Sequence, residues 1–449
     1  MIEDFYKLEP YDLDKTEKNE MLTSELVRLT REHGEKCQEY KRFLDTVGYQ
    51  EENVSTIADI PFYPVRMFKE YELSSIPKDE VFKVMTSSGT TGQRVSKIIV
   101  DKETAMIQQK VMIKILSDYW GKKRLPMLIV DTPAVLKDRK MFSARGAAIL
   151  GLQVAAREMV YVLNDDMSLN TGVLDAFFEK YPNQPFIIFG FTFMVWKHFY
   201  GALKECEKKY NMSEAWLMTG GGWKKLESEA ISREEFKKEM NAVCGIKHFL
   251  DHYGMVEQTG CIYAECEYGH LHASIYSDVI IRDYKDFSVC PIGQKGIIQV
   301  VSVLPHSYPG HSLLTEDEGM VVGEDDCPCG RKGKYIKITG RIPKAEIRGC
   351  SDTFETGKEL RGENEAVTLL AGEMGITSVP EIPFEETTME FLSALSERIR
   401  ELPRMLSGEE MRSLGFWLRR SNLESYKKRY ENCGFRLGLG QTFHIAPSN

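Results

Sequence analysis

Residues Thr86–Gln93 read TSSGTTGQ, between the apolar VFKVM of residues 81–85 and the KIIVDKETA of residues 97–105. Small residues let the chain turn tightly between two strand-like runs. Successive backbone N–H groups, with the hydroxyls of Ser87, Ser88, Thr90 and Thr91, can then surround a polyphosphate. It is not a Walker loop, because no Lys-Ser/Thr follows the glycine. On composition alone the octapeptide also reads as a flexible Ser/Gly/Thr loop, so its surroundings decide between the two readings.

Downstream lie short apolar runs bounded by turn residues: PMLIVD (Pro126–Asp131), FIIFG (Phe186–Gly190), KHFLDHYG (Lys247–Gly254), SDVIIRD (Ser277–Asp283) and GIIQVVSVL (Gly296–Leu304). Helical patterns over Lys102–Leu116 and Leu174–Glu179 separate the earlier runs, the alternation that builds layered α/β sheets. The later runs follow each other with little helix, which predicts a local antiparallel sheet or barrel. Upstream, from Asp14 to about Gly48, Leu22, Leu26 and Leu29 and then Tyr40, Phe43 and Val47 recur at helical spacing, with Gly34 as the predicted break. After Asp352 the polar SDTFETGKELRGENE reads as a linker and TSVPEIPFEE as a second break. Phe391, Leu392, Leu395 and Ile399, then Met411, Leu414 and Leu418, predict helices beyond it.

The bulk properties exclude several functions. A chain of 449 residues, 42% hydrophobic and 28% charged, can bury cores for two or more domains. A net charge of -9 supplies no positive field for nucleic acid or anionic lipid. No apolar run reaches the roughly 20 residues of a membrane span, and MIEDFYKLEP lacks the features of a secretory signal. The expected setting is cytoplasmic, where each of the ten cysteines is a thiol, a metal ligand or a nucleophile.

TSSGTTGQ resembles the phosphate loop of the adenylate-forming superfamily, which includes acyl-CoA synthetases, phenylacetate-CoA ligase-like enzymes and firefly luciferase. Further segments follow in the family's order. TGGGW (Thr219–Trp223) resembles the glycine-rich strand end lining the adenine site, and HYGMVEQTG (His252–Gly260) the Tyr-Gly-x-x-Glu motif. LLTEDEG (Leu313–Gly319) resembles the ribose-binding segment and ITGR (Ile338–Arg341) the hinge between a large and a small domain. The resemblance implies a large adenylate-forming α/β domain, similar to acyl-CoA synthetases, with layered sheets and a smaller C-terminal segment. It implies ATP and Mg²⁺ as cofactors. Nucleotide contacts would come from Thr86, Ser87, Ser88, Gly89, Thr90, Thr91, Gly92, Gly220, Gly221, Tyr253, Gly254, Asp317 and Arg341, with Glu257 holding the metal. Without the resemblance, Glu257 reads as a solvated loop acid and Gly220–Gly222 as a plain turn.

PFYPVRMFK (Pro61–Lys69), SYPGHSLLTEDEG (Ser307–Gly319), CPCGRKGKY (Cys327–Tyr335) and GRIPKAEIRGCSD (Gly340–Asp352) are similar to the LuxE-type acyl-protein synthetase branch. That branch belongs to the fatty acid reductase complex of bacterial luminescence. There an adenylate forms, and the acyl group passes to a cysteine near the C-terminal end of the synthetase and on to a reductase. The matching residue is Cys350, with Lys344, Arg348 and Arg341 in the local sequence to favour its thiolate. No segment after Asp352 matches the lysine that related ligases carry in their small domain, so no catalytic lysine is assigned; Lys337 and Lys344 are the basic residues near the hinge. The knuckle Cys327-Pro-Cys329-Gly and the upstream AECEYGHLH (Ala264–His272) offer sulfur and imidazole enough for a tetrahedral site. By resemblance to phenylacetate-CoA ligase-like proteins, a structural zinc would take Cys266, His272, Cys327 and Cys329. Buried thiols and a surface histidine are the plain alternative.

The expected organisation is a helical N-terminal segment (1–85) of the adenylating domain, its core (86–340), a cysteine-bearing hinge (341–355) and a helical tail (356–449). From about residue 390 the tail resembles the start of a luminescence-type acyl-CoA reductase; the alternative is a helical dimerisation or docking tail. The function the resemblance implies is ATP-dependent activation of a carboxylic acid, expected to be a fatty acid, with acyl transfer to the chain's own cysteine and then to an acyl-CoA reductase-like partner. Two rivals differ in testable ways. A CoA ligase would use coenzyme A in place of Cys350, and a non-catalytic nucleotide-binding partner of a reductase would release no pyrophosphate.

Overall fold

A computed structural model describes residues 6–87, 95–136, 144–223 and 230–342. The chain divides into two compact units, Met1–Asp352 and Thr353–Asn449, and every described residue belongs to the first. The candidate tail of residues 356–449 lies outside the described residues.

The first long helix, α1 (Lys15–Lys36), starts where Asp14 Oδ1 accepts from the N–H groups of Thr16 and Glu17 at 2.9 and 3.1 Å. Leu22, Leu26 and Leu29 form its buried face. Contrary to the sequence expectation, Gly34 does not break it: α1 runs on to Lys36, and α2 (Gln38–Val47) follows after Cys37. A Cβ at residue 34 would stand 2.9 Å from Leu44 Cδ1, so the missing side chain lets the second helix fold back closely on the first.

Behind these helices comes the parallel edge contact β1 (Tyr63–Pro64), then the hairpin β2 (Lys83–Thr86) and β3 (Lys97–Val100). The helix α3 (Lys102–Trp120) follows, opened by Asp101, whose Oδ1 accepts from Thr104 N at 2.7 Å. Next in the chain are β4 (Leu125–Ile129), β5 (Ala156–Tyr161), β6 (Phe186–Phe191), β7 (Ala215–Gly220) and β8 (His248–Tyr253), paired in parallel in the order β5-β4-β6-β7-β8. The β6 run FIIFGF is buried at every position, as expected of a parallel strand covered on both faces. Helices α4 (Thr171–Lys180) and α5 (Arg233–Cys244) are among the crossovers.

The remaining strands are β9 (Tyr263–Glu265), β10 (Leu271–His272), β11 (Ser277–Arg282), β12 (Gly296–Ser302), β13 (Ser312–Glu324) and β14 (Lys334–Arg341). They form the expected antiparallel sheet, but not a separate one. One sheet runs β11-β12-β13-β14-β10-β9-β8-β7-β6-β4-β5, and its pairing changes from antiparallel to parallel at β8. Among the described residues no helix is long and apolar enough to cross a membrane.

Two buried imidazoles join α1 to the loop before β13. His33 and His311 stack with ring centroids 5.1 Å apart. His33 Nε2 faces the Pro305 carbonyl at 2.9 Å and must donate there, so Nδ1 accepts from the Ser75 hydroxyl at 2.7 Å. Both bonds suit a neutral ring. Burial pushes the His33 imidazole down to about 3 and holds His311 well below its ordinary value. The unfolded chain, titrating near its ordinary value of about 6.5, therefore binds more protons than the folded chain below that pH. Stability is full above about pH 6.5 and falls as pH drops from there toward 3. Thermal unfolding followed from pH 7 to 4.5 should show this decline, with His33→Gln reducing the slope by up to about 1.4 kcal/mol per pH unit. An unchanged slope in the variant would contradict the assignment.

Candidate functional site

The change of pairing at β8 gathers the site. Its first residues pair with β7 as far as Thr219↔Asp251, and its last two pair with β9 as His252↔Ala264 and Tyr253↔Tyr263. Ligands of open α/β sheets sit outside the carboxyl ends of parallel strands; here those ends are Gly220 of β7 and Tyr253 of β8. From the antiparallel side, Asp317 of β13 lies opposite Arg341 of β14. The Tyr253 hydroxyl donates to Asp317 Oδ2 at 2.8 Å, and Arg341 Nε donates to Asp317 Oδ1 at 3.2 Å. Burial and then the Asp317 charge drive the Tyr253 phenol well above its ordinary range, so it remains a proton donor. Tyr253, Asp317 and Arg341, distant in sequence, thus form one contiguous polar cluster.

Gly220, at the end of β7, packs against His252 of the neighbouring β8. The ring's Nδ1 lies 3.0 Å from the Thr219 carbonyl, and a Cβ at residue 220 would come within 2.6 Å of its Cε1. Only glycine leaves room for the imidazole under the strand end. Gly221 and Gly222 then take φ of 78° and 62°, the left-handed region glycine favours.

An ionic network beneath the strand ends escaped the sequence reading. Glu265, at the end of β9, accepts from Arg233 Nη2 at 2.6 Å, from Lys237 Nζ at 2.8 Å and from the Asp251 N–H at 3.1 Å. Arg233 Nη1 also donates to Thr219 Oγ1 at 3.3 Å. Burial opposes ionisation of Glu265, but Arg233 and Lys237 outweigh it and hold the carboxyl below its usual range. Asp251 is raised, by burial first, with Arg233 working in the opposite direction. Arg233 and Lys237 sit one turn apart in the first turns of α5, so the network pins that helix to β7, β8 and β9. Nothing in the local sequence of these charges marks them, because their partners come from four separate segments.

The phosphate-loop candidate hangs from β2 and β3, in register from Lys83↔Val100 to Thr86↔Lys97. Beyond that pair, Ser87 N donates to Ser96 O at 3.1 Å and Ser96 N to Ser87 Oγ at 2.9 Å. Thr86 and Ser87 are therefore placed on a closed hairpin stem; Ser88, Gly89, Thr90, Thr91 and Gly92 lie outside the described residues. Cys350, and Lys344 with it, also lie outside them. Gly254 ends the β8 segment, exposed, and Glu257 follows on the short turn Val256–Gln258 with a buried side chain. A carboxylate oxygen is the donor that suits a hard cation such as Mg²⁺, whose remaining ligands are commonly phosphates and water.

Cys266, His272, Cys327 and Cys329 bring their donor atoms within 4.8 Å of one another. Cys266 Sγ and Cys327 Sγ are 4.0 Å apart, and Cys329 Sγ is 3.3 Å from His272 Nε2. Tetrahedral Zn–S bonds would set sulfurs about 3.8 Å apart, so the donor set fits zinc in both type and spacing. The other imidazole nitrogen, His272 Nδ1, is buried without a hydrogen-bond partner among the described residues. His270 stands beside the group, its Nδ1 3.2 Å from Cys327 Sγ. Arg331, just past the knuckle, bonds Asp118 at 2.7 Å and covers the Tyr119 ring at 4.1 Å, linking this corner to the end of α3.

Residues 2–357 match the family described as acyl-protein synthetase, LuxE. The chain belongs to this family. It is 23% identical over 345 residues to a long-chain-fatty-acid–luciferin-component ligase of Vibrio harveyi, covering 75% of this chain and 88% of that protein. To the ligase of the same name from Aliivibrio fischeri it is 22% identical over 335 residues, covering 71% of this chain and 84% of that one. Among solved structures, 2-hydroxyisobutyryl-CoA ligase in the postadenylation state with 2-HIB-AMP is similar at a TM-score of 0.59 and 15% identity, over 74% of this chain and 70% of that one. Its open conformation, with 2-HIB-AMP and CoA, gives 0.59 at 15% identity over 91% of this chain and 92% of that one. At that identity the likeness is one of fold, and the fold is that of the adenylate-forming ligases.

Within this acyl-protein synthetase family member, the motifs read as one array in the sequence occupy distinct positions. Tyr253, Asp317 and Arg341 meet at the junction of the sheet's two halves, and Gly220 lies at the neighbouring strand end against His252. The four metal-ligand candidates form a separate corner beyond β10 and β14.

Proposed function

We propose that this acyl-protein synthetase activates a carboxylic acid, most simply a fatty acid, with ATP and then carries the acyl group as a thioester on Cys350. The observation that carries the reading is the Tyr253–Asp317–Arg341 cluster at the carboxyl end of β8, in a chain of the LuxE family. Asp317 accepts hydrogen bonds at both oxygens, as a carboxylate that is to receive ribose hydroxyls should be able to do. Tyr253 and the glycine turn after β7 offer an apolar face and open backbone for an adenine ring.

In the first step a substrate carboxylate oxygen bonds to the α-phosphorus of ATP and pyrophosphate leaves with the electron pair. Two anions approach, so the site must neutralise charge; Mg²⁺ held by Glu257 would supply that neutralisation when bound. The hydroxyls and N–H groups of the Thr86–Gly92 turn would face the departing phosphates. In the second step the Cys350 thiolate attacks the acyl carbon and AMP leaves. An acyl-CoA reductase-like partner would then accept the acyl group. The test is intact-mass spectrometry of the full chain after incubation with MgATP and fatty acids of graded length, with and without coenzyme A. The expected result is one adduct equal to the acid minus water, released by neutral hydroxylamine. Acyl-CoA production with no protein adduct would replace this reading with a CoA ligase.

The Cys266–His272–Cys327–Cys329 corner holds a structural zinc in this reading, since four protein donors leave no open position for substrate. It ties the loop between β13 and β14 to β9, β10 and the end of α3. Elemental analysis should find about one zinc per chain, and Cys327→Ser or a strong chelator should lower the melting temperature by roughly 5–10 °C. Metal-free protein with an unchanged melting temperature would contradict it.

A further inference from the structure

The segment SYPGH (Ser307–His311) has no role in the reading above, yet it touches two of its parts. Ser307 Oγ donates to the Ile99 carbonyl of β3 at 3.0 Å, and the Ser307 carbonyl accepts from Ser75 N at 2.8 Å. One end of the segment is therefore fixed to the hairpin that bears the phosphate-loop candidate. The other end lies on the turn that bears Glu257. A Cβ at Gly310 would be 2.8 Å from the Glu257 carbonyl oxygen and 2.3 Å from Tyr308 Cε2, so no side chain fits between them. Gln258 Nε2 donates to the Gly310 carbonyl at 2.8 Å and to the Val300 carbonyl of β12 at 3.2 Å.

Between these ends Tyr308 is fully buried, edge-on to Phe68 with centroids 6.0 Å apart. Its hydroxyl accepts from Gln108 Nε2 of α3 at 3.1 Å, which leaves the phenolic proton to donate elsewhere. Gly310 N donates to the Tyr308 carbonyl at 2.8 Å and folds the segment on itself. The far end of the Glu257 turn is held by the same helix, because a Cβ at Gly260 would stand 2.6 Å from the Gln108 carbonyl oxygen.

We propose that Ser307–Gly310 is a strut that sets Glu257 against the β2–β3 hairpin, with Tyr308 and Gly310 as positioning residues for the metal-binding carboxylate. The inference rests on the reading of Glu257 as the Mg²⁺ ligand. Its role is distinct from catalysis, since neither residue needs to touch substrate. Loss of a neighbour that orients a ligating carboxylate typically costs about 10–100-fold in metal affinity or activity.

The test uses Mn²⁺ as the probe, read by electron paramagnetic resonance on the full chain with ATP, beside ATP binding in excess EDTA by calorimetry. Gly310→Ala and Tyr308→Phe should each weaken Mn²⁺ binding by about tenfold, the size of effect typical of outer-sphere changes at metal sites. ATP binding without metal should change less than about twofold, and saturating metal should restore pyrophosphate exchange. If Gly310→Ala fails to fold, Tyr308→Phe, which keeps the ring, decides. Unchanged Mn²⁺ affinity in Tyr308→Phe, with affinity lost in Glu257→Gln, overturns the strut and leaves the Glu257 reading intact. Unchanged affinity in Glu257→Gln overturns that reading, and the strut with it.

Discussion

Cys350→Ala should retain acid-dependent ATP–pyrophosphate exchange within about twofold of the unaltered chain, and should lose the covalent acyl adduct completely. The two proposed steps use different groups. Adenylate formation needs the carboxylate, MgATP and the groups that hold them; the thiol enters only when the acyl carbon is attacked. Removing it blocks the second step and leaves the first free to run in both directions, which is what exchange reports. Lys344 and Arg348 precede the cysteine in sequence and would supply positive charge that favours a thiolate. Loss of exchange together with the adduct would show that residue 350 supports the nucleotide site itself. An adduct that persists would move the acceptor role to another cysteine. Cys261 and Cys244 are poor candidates, because burial pushes each thiol up to about 12.

Glu257→Gln should lower the exchange rate by about 10²–10³ fold, the range for losing one preorganised group that stabilises transition-state charge. The substitution keeps shape and volume, so the turn Val256–Gln258 and its bond from Gln258 to Gly310 should survive. What it removes is the anion that would hold the cation between two negatively charged reactants. Exchange measured against Mg²⁺ separates the possibilities: a lost ligand shifts the metal requirement upward, whereas collapse of the turn would lower the melting temperature at any metal concentration. Full activity at ordinary Mg²⁺ would remove Glu257 from the site.

The fold was legible wherever apolar runs were short and cleanly bounded. PMLIVD, FIIFG, KHFLDHYG, SDVIIRD and GIIQVVSVL all contain or overlap strands, and Lys102–Leu116 lies inside α3. The strands that went unread are mixed in character. AREMVY (β5), at the edge of the sheet, carries charges, and SLLTEDEGMVVGE (β13) holds four acids, so neither shows a clean apolar run. Gly34 was misread because a sequence shows that a side chain is missing, not whether the chain turns or a neighbour fills the space. The motifs located Tyr253, Asp317 and Arg341; their hydrogen bonds could not be read, since Asp317 and Arg341 meet only through the β13–β14 register. The Glu265 network was invisible for the same reason: Arg233, Lys237, Asp251 and Thr219 converge through the folding of β7, α5, β8 and β9 around one carboxylate.

The central claim is that the junction of the sheet's two halves binds ATP and joins its α-phosphate to a carboxylic acid. Exchange of labelled pyrophosphate into ATP by the full chain tests it most directly. Exchange should require both Mg²⁺ and a fatty acid, and should proceed with no coenzyme A present. No exchange across a broad set of acids, or the same exchange without any acid, would contradict it.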